Sequence, residues 1–135
     1  MPTAQDVDVI RRFNESWGAG NLDTVYECAH PDMEFDWSES IGPFRGTYRG
    51  HSGLRRLYED LHETFEEFRP EIGDPIHCGD EQVVTPTRVS GHGRASGIEL
   101  DARGAMLWEV RAGRLVRAKM FQGVDDALAA SGCAG

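Results

Sequence analysis

Apolar residues at Val7, Ile10, Phe13 and Trp17, with Asn14 among them, fall on one stripe of a helix, while Arg11, Arg12 and Glu15 fall outside it. Gly18 and Gly20 end that helix, and Asn21 caps a second, short one running through Ala29, with Leu22, Val25 and Tyr26 as its apolar side. After Pro31 and Asp32 the period changes to two. Met33, Phe35 and Trp37 alternate with Glu34, Asp36 and Ser38, which predicts a strand over 33–38. Residues 39–50, glycine-rich with one proline, read as a loop. His51 and Ser52 open a third helix in which Leu54, Leu57, Tyr58, Leu61 and Phe65 share a face and Glu59, Asp60, Glu63, Glu66 and Glu67 meet water. Strands are then predicted over 68–78, 82–93, 98–110 and 114–122, with turns at Gly79-Asp80, Arg94–Gly97 and Ala112-Gly113, and a last helix over 124–130.

Helices followed by long antiparallel strands make an α+β protein. The strands are long enough to curl, and Gly91, Gly93 and Gly97 stand where a strongly bent sheet needs them. The expected architecture is therefore a cone-shaped barrel: a strongly curved antiparallel sheet packed against three N-terminal helices. An enclosed apolar hollow between sheet and helices is a usual place for a small ligand.

A length of 135 residues suits one domain, over 1–135, and 39% hydrophobic with 27% charged residues is a globular balance. No apolar run approaches the roughly 20 residues of a membrane span, and Met1 to Asp8 lacks the basic and apolar regions of a secretory signal, so a cytoplasmic location is expected. The net charge of −9 argues against nucleic acid, since phosphate binding needs a basic stripe. Cys28, Cys78 and Cys133 form no CxxC pair; in the cytoplasm they read as reduced, with Cys28 and Cys78 buried as small hydrophobes and Cys133 open to oxidation in air. His30, His51, His62, His77 and His92 show no metal-ligand spacing, so neither metal nor cofactor is expected.

Two glycine-rich stretches invite a nucleotide reading and fail it. Residues 90–97 lack G-x-G-x-x-G spacing and precede a strand, whereas a phosphate cradle needs a helix N-terminus; YRGHSG at 48–53 has no P-loop lysine. The strand from Gln82 is more informative. Arg88, Ser90 and His92 share one face, and Val83, Thr85, Thr87 and Val89 the other. Facing out, the polar set is a solvated edge or half of a dimer contact. Facing in, it brings a guanidinium, a hydroxyl and an imidazole into the hollow, where a buried imidazole near a cation stays neutral and suits a general base. On the last strand Lys119 shares a face with Phe121, so an inward Phe121 brings an ammonium with it; otherwise Lys119 snorkels from the mouth. Asp36, beside the mouth loop, belongs mainly outside.

The ordered runs WGAGNLDTVYECAHPDMEFDWSES, YRGHSGLRRLYEDLHETFEEFR, GHGRASGIEL and LWEVRAGRLVRAKMF resemble the SnoaL-like branch of the nuclear transport factor 2-like superfamily, over roughly residues 4 to 131. The resemblance implies the cone-shaped barrel, a homodimer formed through the outer sheet face, and a ligand entering the cone. Activities in the superfamily include polyketide cyclases, ketosteroid isomerases, limonene-epoxide hydrolases and dehydratases; other members have no demonstrated activity. Position by position, the isomerase's tyrosine falls on Phe13, its catalytic aspartate on Trp37 and its proton-donating acid near Ala105 or Met106, so neither base nor oxyanion donor is present. The epoxide hydrolase's arginine falls on Arg88, but its two aspartates fall on Ser90 and Lys119, and its tyrosine and asparagine on Phe35 and Trp37. The cyclases' aspartate has no counterpart, since Lys119 stands about where a final-strand acid would be. The resemblance thus implies that Arg88, Ser90, Lys119 and His92 lie inside the cone.

Two functions follow from different classes. One is a cofactor-independent acid–base enzyme acting on a hydrophobic carbonyl or polyketide-like molecule. In it His92 transfers the proton, Arg88 and Lys119 hold the developing anion, and Trp17, Phe35, Trp37, Tyr58, Ser90, Trp108 and Phe121 contact the substrate. The other is a non-catalytic ligand-binding or dimerisation module whose cavity is merely lined by aromatics.

Overall fold

A computed structural model describes residues 4–40, 44–79 and 81–134. The expected loop positions 41–43 and turn position Asp80 lie outside the described residues. Helices α1 (Ala4–Ala19), α2 (Leu22–Cys28) and α3 (Gly50–Thr64) and a short C-terminal α4 (Val124–Ala129) accompany seven strands: β1 (Ala29–Asp36), β2 (Thr47–Arg49), β3 (Phe65–Ile72), β4 (Ile76–Cys78), β5 (Gln82–Gly93), β6 (Glu99–Arg111) and β7 (Arg114–Phe121). All seven share one sheet in the order β2-β1-β7-β6-β5-β3, with β4 also paired to β5. It is a mixed α+β fold with a curved sheet, and β1 runs parallel to β7 where the other pairings are antiparallel. No helix among the described residues is long and apolar enough to cross a membrane.

The α1 stripe behaves as its spacing predicts, with Val7, Ile10, Phe13, Asn14 and Trp17 all buried. Asn21 caps α2 by accepting from the Thr24 backbone N–H at 3.3 Å. Strand β1 starts at Ala29 and ends at Asp36 rather than spanning 33–38, and two further differences from the sequence pattern are set by a tertiary partner. The loop over 39–50 contains β2, held to β1 in the register Phe35↔Tyr48. Helix α3 stops at Thr64, earlier than its apolar spacing suggests, because Arg94 caps it from the β5–β6 turn: its backbone N–H donates to the Thr64 carbonyl at 2.9 Å and its Nε to the His62 carbonyl at 2.8 Å. Phe65, Glu66 and Glu67 therefore lie on β3, where the register slips between Glu66 and Arg69 and Glu67 takes a left-handed φ of 53°.

The strand expected over 68–78 is broken into β3 and β4. Pro86, in the middle of β5, has no N–H for a ladder bond, and the neighbouring strand is interrupted opposite it, with the Gly73 N–H donating to the Pro86 carbonyl at 2.8 Å. The expected bend at Gly91 is present. A Cβ there would stand 3.0 Å from the Glu66 carbonyl oxygen, so glycine lets the β3 backbone cross close over the strand.

The sheet is buried on both sides, but unequally. Its concave face packs against α1, α2 and α3 in a core containing Phe13, Trp17, Phe35, Val83, Trp108 and Leu115. On the convex face α4 covers a smaller cluster of Cys78, Val84, Ala105, Leu107, Phe121 and Ala127. The cysteines correct an expectation here. Cys28 is free and buried, but Cys78 and Cys133 form a disulfide across 55 residues, tying the tail behind α4 to β4.

In the chain-entropy picture a cross-link of that span removes freedom mainly from the unfolded chain. Cys133→Ser, or an added reductant, should lower unfolding stability by about 2–4 kcal/mol, read as a drop in the urea midpoint. A midpoint indifferent to reductant would show that the tie contributes nothing.

Candidate functional site

The alternation along β5 resolves against the expected orientation. Val83, Thr85, Thr87 and Val89 face the helices: Val83 is fully buried, Thr85 is 1% exposed, and Thr87 and Val89 wall the interior. Arg88, Ser90 and His92 consequently point to the convex face, outside the cone. Thr85 holds this orientation chemically, since its Oγ1 accepts the Trp108 indole N–H at 2.9 Å. That bond satisfies two buried polar groups at once.

Lys119 and Phe121 share a face as expected, but it too is the convex one. Phe121 is buried under α4 in the smaller cluster, so its burial carries Lys119 outward. The Lys119 Nζ lies 3.3 Å from a Glu39 carboxylate oxygen, 4.0 Å from Asp36 and 5.2 Å from the centre of the Phe121 ring. Asp36 is the most buried acid of this edge, its side chain 10% exposed. Burial pushes its carboxyl up, but hydrogen bonds from Ser38 and Thr47 and the Lys119 charge outweigh that and leave it below its ordinary value.

The convex-face residues do come together, though as pairs. Arg88 makes a two-pronged bond to Asp101, at 2.9 and 3.1 Å, and the His92 Nε2 lies 3.2 Å from Glu67. With Ser90 and Arg69 they border an open groove of about 220 Å³. The Arg88 and Asp101 side chains are 45% and 53% exposed, so this pair is worth little to stability.

Inside the cone, four of the expected contact residues meet: Trp17, Phe35, Trp37 and Trp108 wall one void together with Phe13. Their rings interlock edge to face, Phe13 against Phe35 and Trp108 at 5.8 Å and Trp17 against Phe35 at 5.5 Å. The void measures only about 20 Å³, because these rings fill most of the hollow. At the open end a larger cavity of about 280 Å³ shares Thr87, Val89 and Met120 with it and extends past Ala102 and Arg103 to Ser40. The sequence sets Thr87 and Val89 on the face opposite the polar candidates but assigns neither them nor Met106 and Met120 to a cavity wall. The signal that could have found the interior was Asn14, a polar residue at a core position of α1; its Nδ2 donates to the Pro70 carbonyl at 2.9 Å.

Among the described residues none that walls the void is ionisable, and Arg103 is the only charged side chain around the larger cavity. Among the described residues no three His, Cys, Asp or Glu side chains are grouped to hold a metal ion. Tyr58 misses the void. It packs between Trp17, at 5.8 Å, and His62, at 4.1 Å. The His62 Nε2 is buried without a hydrogen-bond partner among the described residues, and burial, aided by the Arg94 charge and opposed by a hydrogen bond with the Trp17 backbone, holds its pKa below the ordinary 6.5.

A lowered folded pKa means that the unfolded chain takes up the His62 proton first as pH falls. His62 therefore leaves stability unaffected well above pH 6.5 and diminishes it as pH drops below that value, until the folded imidazole also protonates. His62→Gln should flatten the fall in urea midpoint between about pH 7.5 and 5 relative to the wild type. Equal slopes in the two proteins would remove His62 as the cause.

A family profile described as SnoaL-like domain matches residues 10–118. No curated sequence matches the chain significantly. Among solved structures, an NTF2-like protein from Burkholderia thailandensis E264 is 22% identical with a TM-score of 0.75, covering 90% of this chain and 91% of its own. A putative SnoaL-like polyketide cyclase from Jannaschia sp. CCS1 is 20% identical with a TM-score of 0.73, covering 98% and 96%. TerC, co-crystallised with polyporic acid, is 18% identical with a TM-score of 0.76, covering 87% and 91%. At these identities the structures share the fold, and activity must be argued from the site. With most of its length matched by one profile, the chain belongs to the SnoaL-like domain family.

Proposed function

We propose that this protein binds a neutral, hydrophobic small molecule in the mouth and interior of its cone. The observation that carries the reading is the aromatic wall of Trp17, Phe35, Trp37 and Trp108, opening through Met120 onto a cavity of about 280 Å³. Met120 lines both spaces together with Thr87 and Val89, and its unbranched thioether side chain changes rotamer readily. A ligand entering there exchanges water for aromatic surface, the main source of affinity in such sites. That no described residue of the void wall is ionisable favours binding over acid–base turnover at that point. TerC, co-crystallised with polyporic acid, and a hypothetical protein of ketosteroid isomerase-like fold from Catenulispora acidiphila DSM 44928, in complex with trimethylamine, support the fold's capacity to hold small molecules.

A second reading keeps the chemistry with Arg88, Ser90 and His92, now in the convex groove. What favours it is the His92–Glu67 contact at 3.2 Å, with Glu67 held in a left-handed backbone conformation beside an open groove. An imidazole oriented by a carboxylate is a competent proton-transfer group. Lys119 stands apart, engaged with Glu39.

Ala102→Trp separates these readings, because Ala102 is exposed and borders the mouth cavity without entering either core. A neutral aromatic ketone at about a hundred times its Kd should add about 2.7 kcal/mol of stability, a rise of a few degrees in Tm. That rise should vanish in Ala102→Trp and persist in Arg88→Ala. The reverse pattern would transfer the site to the convex groove.

A further inference from the structure

The apolar cluster on the convex face is covered by an element too short to hold itself. Helix α4 is six residues long, with no side-chain cap at Gly123, and an isolated helix of fewer than about 12–15 residues is marginal in water. Its own backbone bonds are long: the Ala127 N–H donates to the Gly123 carbonyl and the Ala130 N–H to the Asp126 carbonyl, both at 3.2 Å. Of its side chains only Ala127 is buried, while Val124 and Leu128 rest half-buried on the cluster of Val84, Ala105, Leu107 and Phe121. What pins the helix lies beyond its C-terminus. The Gly132 N–H donates to the Gln82 Oε1 at 2.6 Å, and the Cys133 sulfur is bonded to Cys78 on β4. The two ends of this tie differ in access. Cys78 is 1% exposed, whereas Cys133 is open to solvent.

We propose that the Cys78–Cys133 disulfide is a redox latch on α4: closed, it keeps the helix over the convex cluster, and opened by a dithiol reductant, it lets the tail leave that face. A thiolate of the reductant attacks the exposed Cys133 sulfur, the bond to Cys78 breaks, and its electron pair leaves on Cys78. The second thiolate of the reductant then displaces Cys133. Each freed cysteine takes up a proton that the reductant gave up, so the products are two protein thiols and one oxidised dithiol. The Cys78 thiol stays in place as a small apolar group, and Cys133 moves with the tail. Release of α4 uncovers Val84, Leu107 and Phe121. Two residues of this cluster, Ala105 and Phe121, also border the mouth cavity, so the thiol state of the tail reaches the mouth through the sheet. Its effect on a ligand rests on the mouth being the binding site; the latch itself does not.

Hydrogen exchange on the full chain, oxidised and after dithiothreitol, tests the latch at labelling times for which the α1 amides of the oxidised protein stay protected. The Ala127, Ala130 and Gly132 amides should exchange at least about tenfold faster in the reduced protein, while α1 keeps its protection. Cys133→Ser should show the fast tail rates with and without dithiothreitol, which separates loss of the tie from any other action of the reagent. Should that variant fail to fold, the reduced wild type decides alone. Tail rates unchanged on reduction overturn the latch. Loss of α1 protection along with the tail overturns it too, because the disulfide then holds the whole fold rather than α4. The methionine methyl resonances report on the mouth: Met120, which lines it, should shift on reduction, and Met33, in the concave core, should not. A tail that opens while Met120 stays unmoved overturns the link to the cavity. Neither readout uses a ligand, so a failure of small molecules to bind in the mouth would remove the cone reading without touching the latch.

Discussion

One sheet with two unlike buried faces governs this molecule. The concave face must be covered by α1, α2 and α3 over its whole width, while only the lower part of the convex face is covered, by α4. Each strand from β5 to β7 is therefore uncharged on its concave side and divided on the other, apolar beneath α4 and charged beyond it. Curvature follows from the same division. Glycine at 91 lets the β3 backbone cross close over β5, and Pro86 interrupts the neighbouring strand, so the sheet bends around the helices.

What fills the concave side decides the chemistry open to the protein. Five large rings interlock there and reduce the interior to a small void, with the usable space at the mouth. Two of its tryptophans are treated differently by their surroundings. Trp108 has its hydroxyl partner in Thr85, and the Trp37 indole N–H has none among the described residues. A satisfied polar group in a core stabilises it, whereas an unsatisfied one costs free energy.

The charged side chains form their own arrangement outside. Arg88 meets Asp101, His92 meets Glu67, Arg94 meets Glu66 and Lys119 meets Glu39, each pair crossing between strands or from strand to loop. In water such pairs are individually weak. Their effect is to orient the convex surface, and Arg94 has the further task of ending α3. None of them reaches the void in the cone, so the acidic protein keeps a neutral interior.

Sequence by itself determined the elements and the fold. The stripe from Val7 to Trp17, the alternation from Met33 to Trp37 and the long strands after the third helix follow from local periodicity, and they place Trp17, Phe35, Trp37 and Trp108 together in a core. It could not decide which face of β5 looks inward, because a period of two separates two faces without naming either. Phe121 shows why. Its apolar character required burial, and the sequence held no sign that a second buried cluster waited on the other side of the sheet. Arg88, Ser90, His92 and Lys119 went outside with that decision. The helix end at Thr64, the break opposite Pro86 and the Cys78–Cys133 tie were likewise settled by partners 30, 13 and 55 residues away. Contacts of that span exist only once the chain has closed on itself.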